Sequence, residues 1–239
     1  MHETYKRSME CTKSDILEYK NMNWSASDLI KQPARQMVFF GLKRQKCKDY
    51  EKPITEEQAM GTEYQEKIST SEFIEMRGTY NYKDHLIHYS FDEIKDDGNL
   101  IFIEHKNIND LSTLAEWYKQ YCILQVAFYQ SMATTVPDFY TASFMRKKGH
   151  EIKHISSKDR DKVFILSFGN DNEVKRYEIK VSNPEEIIKF YMNKLDHVVD
   201  LSYSEASIWG DKYKKKEFNK LQKYIITKRI ENQNGKKEK

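Results

Sequence analysis

The sequence has 239 residues, of which 13% are aromatic and 32% are charged, and its formal net charge is +3. This aromatic content argues against a disordered chain, and the lack of 18 consecutive apolar residues argues against a membrane-spanning helix. The eight glycines never stand closer than 17 positions apart, so neither a P-loop nor a Rossmann turn can be built. A motor ATPase and a typical dinucleotide enzyme are excluded, and one domain over residues 1–239 is expected.

The cysteines and the first residues bear on the compartment. Cys11, Cys47 and Cys122 are scattered without a Cys-x-x-Cys motif, which predicts neither a disulfide framework nor a closed zinc site. Residues 1–10 are polar and lack the apolar stretch of a signal peptide. We therefore expect a cytoplasmic protein.

Helical patterns alternate with short strand-like runs along the chain. Thr55 and Gln58 have the spacing of a capping box, and Asp96–Asn99 is a turn signal between two extended runs. The predicted helices run from Ser27 or Asp28 to about 46, and over 55–76, 111–133, 185–199 and 205–231. The predicted strands are 79–82, 85–94, 100–103, 139–145, 151–155, 163–168 and 174–181. This order predicts a mixed α/β fold, with a core at about 24–182 and a helical, basic region at about 184–239.

The hairpin around Gly98 carries the most informative polar residues. A turn centred on this glycine places Asp92 opposite Glu104, with Cβ atoms about 4.5–5.5 Å apart, and Lys106 on the same face. Two carboxylates suit Mg²⁺ or Mn²⁺, and a lysine can stabilise the transition state of phosphodiester hydrolysis. The alternative is a cross-strand salt bridge on a solvated hairpin. A shift of one residue in register would place Asp92 on the other face.

Two helices flank the hairpin in sequence. Gly61–Gln65 lies on the helix before it, and Gln125 and Tyr129 lie one turn apart on the helix after it. Taken alone, this glutamine–tyrosine pair is typical of a contact at a helix rim. Trp117 and Tyr118 are typical of helix packing, although an aromatic side chain near a groove can also stack on an unpaired base.

The chain resembles the RecB-like branch of the PD-(D/E)XK nucleases in several ordered segments. These are Trp24–Leu29 with Pro33–Arg35, Gly61-Thr62, Phe91-Asp92-Glu93-Ile94, Ile103-Glu104-His105-Lys106 and Gln125-x-x-x-Tyr129. The resemblance covers about residues 24–145. It implies a PD-(D/E)XK restriction-endonuclease-like core, in which helices flank a central mixed β-sheet, and metal-dependent hydrolysis of DNA.

The resemblance also implies a role for each matched residue of the hairpin. Asp92 and Glu104 would be metal ligands, with the backbone carbonyl of Ile103 or His105 near the metal. Lys106 would be the catalytic lysine. The implied cofactor is Mg²⁺ or Mn²⁺.

The helical positions include two departures from the family pattern. Gln125 and Tyr129 would orient the lysine or contact the DNA backbone, as the family implies. Gln65 stands where many members have a metal-binding histidine, so its role as a ligand is the weakest of the set. Gln32 stands where iron–sulfur members have their first cysteine, and we therefore expect no iron–sulfur cluster.

The end of the chain is strongly basic. Residues 212–239 contain 11 basic and three acidic residues, a net charge of +8, which leaves −5 for the remainder. This charge is compatible with binding a phosphate backbone and equally with a solvated helix end. The candidate DNA-binding lysines are Lys214, Lys215, Lys216, Lys220 and Lys223.

The expected function is that of a metal-dependent DNA nuclease in a bacterial or phage-infected cell. We expect an exonuclease or a single-strand or flap-processing enzyme of recombination, repair or phage DNA metabolism. Its substrate would be single-stranded DNA or duplex ends. A single-strand-binding, annealing or helicase partner and a homo-oligomer are compatible with the sequence, whereas a membrane partner is not expected. The alternative is a PD-(D/E)XK-fold module that binds nucleic acid or protein and cleaves weakly or not at all.

Overall fold

The structure is a computed structural model that describes residues 23–31, 56–69, 73–83, 85–135, 140–141, 143–146, 155–156, 160–200 and 211–230. The helices are α1 (Ala26–Lys31), α2 (Glu56–Ile68), α3 (Glu116–Thr135), α4 (Pro184–Asp200) and α5 (Asp211–Leu221). The strands are β1 (Asn23–Ser25), β2 (Phe73–Tyr82), β3 (His85–Asp96), β4 (Leu100–Asn107), β5 (Tyr140–Thr141), β6 (Ser143–Arg146), β7 (Ile155–Ser156), β8 (Lys162–Gly169), β9 (Val174–Val181) and β10 (Ile225–Ile230). A 3₁₀ turn, Gln222–Tyr224, joins α5 to β10.

Eight strands form one mixed sheet. Seven of them run in the order β10-β9-β8-β4-β3-β2-β6, and β1 pairs in parallel with β3. Along this order only β4 and β8 are parallel neighbours. A parallel pair needs a long crossover connection, and the segment between β4 and β8 contains α3. The predicted α/β class, with a mixed central sheet flanked by helices, is confirmed.

Helix α3 is the central helix of the fold. All residues from Tyr121 to Ala133 are buried, which is typical of a helix surrounded by protein on every side. It contacts β2, β8 and β9 of the sheet as well as α1, α4 and α5. No helix among the described residues is both long and apolar enough to cross a membrane.

Helix α2 covers the opposite face of the sheet from α3. Glu104 on β4 contacts Gln125 of α3, so the even-numbered residues of this strand face α3. Gly169 pairs with Asn107, whose side chain belongs to the other face. The Tyr64 hydroxyl of α2 occupies the space that a Cβ atom on Gly169 would fill. The glycine at this position therefore lets α2 pack closely on β8.

An aromatic cluster joins the middle strands beneath α3. Phe91, Phe102 and Phe164 are almost completely buried on adjacent strands. Their ring centroids lie 5.3 Å apart for Phe91 and Phe102 and 4.9 Å apart for Phe102 and Phe164. Each buried ring contributes on the order of 1.5–3 kcal/mol to folding, which fixes these strands as a rigid platform.

The predicted helix 55–76 is too long. Helix α2 ends at Ile68, and Phe73 begins β2, which pairs with β3 from Phe73–Ile94 to Tyr82–His85. The apolar residues of this segment therefore serve a strand. Helix α3 begins at Glu116, five residues later than predicted, because Asp110 Oδ1 accepts hydrogen bonds from Ser112 and closes a turn there.

The predicted C-terminal helix 205–231 is also wrong over its last part. Helix α5 ends at Leu221, and Ile225–Ile230 forms β10, which pairs antiparallel with β9. The β-branched residues of this segment favour a strand, and the edge of β9 supplies the hydrogen-bonding partners. Residues 32–46, 151–154 and 205–210 of the predicted elements lie outside the described residues.

Candidate active site

The hairpin of β3 and β4 has the predicted register. Gly98 has a φ of +97°, which glycine adopts without strain, and β3 pairs with β4 from Glu93–Ile103 to Asp96–Leu100. The paired residues end one position before Asp92 and Glu104, and both carboxylates interact electrostatically with Lys106. The turn residues of the sequence therefore determine which side chains share this face of the sheet.

The two strands diverge at the position of these carboxylates. The backbone N–H of His105 donates to Asp92 Oδ2 over 2.7 Å, where a bond to a backbone carbonyl of β3 would otherwise continue the ladder. Beyond this point β3 pairs with β1 at Leu86–His88, and β4 continues along β8 to Asn107. We call this divergence of β3 and β4 the fork.

Glu104 is the most buried acid on the α3 side of the fork, with a residue exposure of 3%. Its Oε1 atom accepts hydrogen bonds from Lys106 Nζ over 2.6 Å and from Gln125 Nε2 over 2.8 Å. Its Oε2 atom is buried and accepts no hydrogen bond from any described residue. A buried carboxylate oxygen without a donor is costly, and a cation is one group that removes this cost.

Lys106 places a positive charge beside the carboxylates. Burial alone lowers the pKa of Lys106, but Glu104, with further contributions that include Asp92, raises this pKa well above its usual range. The ammonium group therefore stays protonated at neutral pH. It acts as a cation beside Glu104.

Helix α3 contributes the predicted glutamine–tyrosine pair. Gln125 Nε2 donates to Tyr129 OH over 3.0 Å as well as to Glu104. Burial, followed by the charge of Glu104, raises the pKa of Tyr129, so its phenol stays neutral. The glutamine–tyrosine pair predicted from its spacing thus lies beside the Glu104 carboxylate, and its hydrogen bonds restrain that carboxylate.

Gln65 reaches the fork from α2. Its Nε2 atom donates to the backbone carbonyl of Asp92 over 3.0 Å. The Asp92 carbonyl lies beside α2 at the fork, and the Gln65 amide is its hydrogen-bond donor. Gln65 is thus brought to the predicted site, while its role as a metal ligand stays a prediction.

The side chain of His105 lies on the face of the hairpin opposite to Glu104. Its side chain points away from Glu104, and its Nε2 atom lies 2.8 Å from Glu93 Oε2 in a pair whose side chains are only 2% and 1% exposed. Lys95 Nζ approaches Glu93 Oε1 at 3.8 Å. The imidazole thus belongs to the other face, and the metal contact of the His105 carbonyl stays a prediction.

Three further residues of α3 approach Lys106 and were missed by the sequence interpretation as site residues. Burial raises the pKa of Tyr118 to about 12, and Lys106 opposes this effect. Tyr121 and Cys122 also interact electrostatically with Lys106. Their spacing from Gln125 corresponds to one and two helical turns, so the helical period could have identified them.

The candidate DNA-binding lysines lie on a different part of the fold. Lys215, Lys216 and Lys220 are on α5, and Lys223 is in the 3₁₀ turn; all four are exposed. Lys214 also lies on α5, but its side chain is outside the described part of the chain. Their role in binding DNA therefore stays a prediction.

Comparisons with known proteins assign no family. No family model matches the chain, and no curated protein matches it. The crystal structure of SSO0001 is similar over 84% of this chain and 88% of that chain, with 16% sequence identity and a TM-score of 0.41. A similarity at this level carries no argument about function.

Proposed function

We propose that the chain is a metal-dependent nuclease of the PD-(D/E)XK type, which hydrolyses phosphodiester bonds at the fork. The observation that carries this proposal is the Glu104 carboxylate, which pairs through Oε1 with Lys106 and has a buried, unpartnered Oε2. The mixed sheet flanked by helices is the arrangement that this family implies. A solvated cross-strand salt bridge does not account for the burial of Glu104.

The donor set of the fork fits a hard divalent cation. Mg²⁺ commonly takes one or two carboxylates and keeps several waters, so Asp92 and Glu104 are sufficient protein ligands. Among the described residues, no group of three or more His, Cys, Asp and Glu side chains is placed to hold a metal ion. The site would thus complete its coordination with the His105 carbonyl, water and substrate. When bound, the metal lowers the pKa of a water and neutralises phosphate charge.

The residues around the metal position have separate tasks in this proposal. Lys106 stabilises the negative charge that develops on the phosphate, since its ammonium stays protonated beside Glu104. Gln125 donates to Glu104 Oε1 and to the Tyr129 hydroxyl, so that Oε1 is restrained and Oε2 would be the oxygen available to a metal. Gln65 restrains the backbone of Asp92. This preorganisation leaves the ligands little freedom to lose when the cation binds.

The second candidate function is a nucleic-acid or protein-binding module of the same fold that cleaves weakly or not at all. Gln65 favours it, since an amide donating to the Asp92 carbonyl provides less metal affinity than an imidazole ligand. Lys106 at 2.6 Å from Glu104 Oε1 also competes with a cation for this carboxylate. The charged set at the fork nevertheless favours catalysis.

The decisive experiment is digestion of end-labelled single-stranded and duplex DNA, and of RNA, with Mg²⁺, with Mn²⁺ or with a chelator. We expect metal-dependent cleavage that is lost in Glu104→Gln and in Lys106→Gln. Asp97→Asn is the matched control, because Asp97 is exposed at the hairpin turn. Cleavage that survives in Glu104→Gln, or that persists in the chelator, would contradict the proposal.

A further inference from the structure

The described residues include an unusually exposed tryptophan close to the fork. Large apolar side chains are mostly buried, yet Trp117 at the start of α3 is 43% exposed. Among the described residues, the other large apolar side chains with this degree of exposure are Met60 and Ile226. An exposed tryptophan presents a flat π surface to solvent, and such surfaces are a feature of ligand contacts.

Trp117 is the outer end of a continuous series of rings. Its ring centroid lies 5.7 Å from that of Tyr118, with an interplanar angle of 76°. The ring of Tyr118 lies 6.0 Å from that of Tyr121, which is 5% exposed. Both tyrosines interact electrostatically with Lys106. The series therefore leads from solvent to the lysine of the proposed catalytic site.

We propose that Trp117 forms a base-stacking subsite that binds an unpaired nucleobase next to the phosphodiester at the fork. This inference rests on the proposed nuclease function and specifies its substrate as single-stranded nucleic acid. In a duplex, both faces of each base are already covered by neighbouring bases, so an exposed ring selects unstacked nucleotides. Stacking of this kind tolerates any base and is worth about 1–3 kcal/mol for each base.

The net charge of the fork favours a nucleobase over a phosphate as the first group of the substrate to bind. Asp92, Glu104 and Lys106 together carry one net negative charge, which repels a phosphodiester before metal binds. Stacking on an uncharged indole is insensitive to this repulsion. The aromatic series therefore supplies affinity where the local electrostatics do not.

The test measures binding separately from cleavage. The Glu104→Gln chain, with and without Trp117→Ala, is titrated against fluorescent ten-nucleotide oligo(dT) and against an abasic deoxyribose-phosphate ten-mer of the same charge. We expect Trp117→Ala to raise the Kd for oligo(dT) about 10-fold, as one lost stacking contact predicts, and to change the Kd for the abasic strand less than about 2-fold. Trp117→Phe should stay within about 3-fold of the parent.

Matched controls separate stacking from general effects. Ile226→Ala removes another exposed apolar side chain and should leave both Kd values unchanged. Thermal unfolding of each variant verifies folding, and Trp117→Phe tests the ring independently if Trp117→Ala loses stability. Equal affinity for oligo(dT) with and without Trp117 would overturn the subsite, and so would an equal loss for both strands.

Cleavage by the wild-type chain distinguishes failure of this inference from failure of the proposed function. A chain that binds oligo(dT) through Trp117 but cleaves no substrate retains the subsite and refutes the nuclease. A chain that cleaves with metal, yet binds oligo(dT) equally well in Trp117→Ala, retains the nuclease and refutes the subsite.

Discussion

The backbone N–H of His105 donates to the Asp92 carboxylate over 2.7 Å, and this bond takes the place of the next rung between β3 and β4. A side chain thus ends the pairing of two strands that would otherwise remain a flat antiparallel ladder. Asp92 and Glu104 come to lie where the strands separate, so that their carboxylates can meet a ligand without breaking the sheet.

Asp92→Asn and Asp92→Ala should separate the structural role of this carboxylate from its proposed catalytic role. Asparagine retains an oxygen that can accept from His105, whereas alanine leaves the buried N–H without a partner, which costs about 1–3 kcal/mol. We expect both variants to lose cleavage at least about 100-fold, and only Asp92→Ala to lose clear stability in urea unfolding. An asparagine variant that cleaves normally would remove Asp92 from the proposed metal site.

The part of the site that could be predicted from the sequence rests on local rules. The turn at Gly98 fixes the register of the hairpin, and alternation along β4 then places Lys106 beside Glu104. The four-residue spacing of Gln125 and Tyr129 places both on the sheet side of α3. These relationships depend on residues close in sequence or on one turn, so a single sequence specifies them.

The part that could not be predicted depends on tertiary contacts. The side chain of Asp92 replaces a ladder bond, and no local pattern signals that substitution. Residues Phe73–Met76 become part of a strand because β3 offers them a pairing edge, although their apolar pattern is compatible with a helix. Ile225–Ile230 follows a basic helix and becomes a strand through its pairing with β9 in the same way.

Gln65→His should tighten the dependence of activity on metal. Histidine at this position stands beside Asp92, where an imidazole is a stronger ligand for Mn²⁺ than an amide oxygen. We expect retained cleavage with a Mn²⁺ titration shifted to lower concentration. Gln65→Ala serves as the comparison, because it removes the donor to the Asp92 carbonyl without adding a ligand. An unchanged titration in Gln65→His would place residue 65 outside the metal shell.

Helix α5 is anchored to the rest of the fold by a buried ion pair. Lys194 Nζ on α4 lies 3.2 Å from Glu217 Oε1 on α5, with side-chain exposures of 8% and 3%, and donates to the carbonyl of Leu29. We expect Lys194→Met to lower the free energy of unfolding by about 3–5 kcal/mol, since it removes the ammonium that pairs with the buried Glu217 carboxylate. The double variant Lys194→Met/Glu217→Leu should recover much of this loss.

Urea unfolding of both single variants and the double variant gives the coupling energy. The control is Lys189→Met on the same helix, because Lys189 forms an exposed pair with Glu186 at 4.0 Å, for which about 0–1 kcal/mol is expected. Additive losses in the double variant would show that the buried pair does not act as a unit. A large coupling energy between Lys194 and Glu217 would mean that α5 cannot be deleted without damage to the core.

The basic end of the chain must therefore be tested by removing charge alone. Those of its lysines whose side chains are described are exposed, while Leu221 of α5 is 2% exposed and β10 pairs with β9. Deletion after about Ile208 would therefore remove core contacts as well as charge. Each phosphate contacted by a lysine steepens the dependence of log affinity on log salt by about 0.7 for single-stranded and 0.9 for duplex DNA. We expect the Lys→Gln variant of the five candidates to bind DNA more weakly, with a slope smaller by up to about 3.5 for single-stranded and about 4.5 for duplex DNA. The substituted positions are Lys214, Lys215, Lys216, Lys220 and Lys223.

The control variant neutralises exposed lysines elsewhere in the chain, namely Lys67, Lys83, Lys180 and Lys189. Equal affinities and equal slopes for the two variants would mean that this end of the chain is a solvated surface, and that the phosphates are held elsewhere.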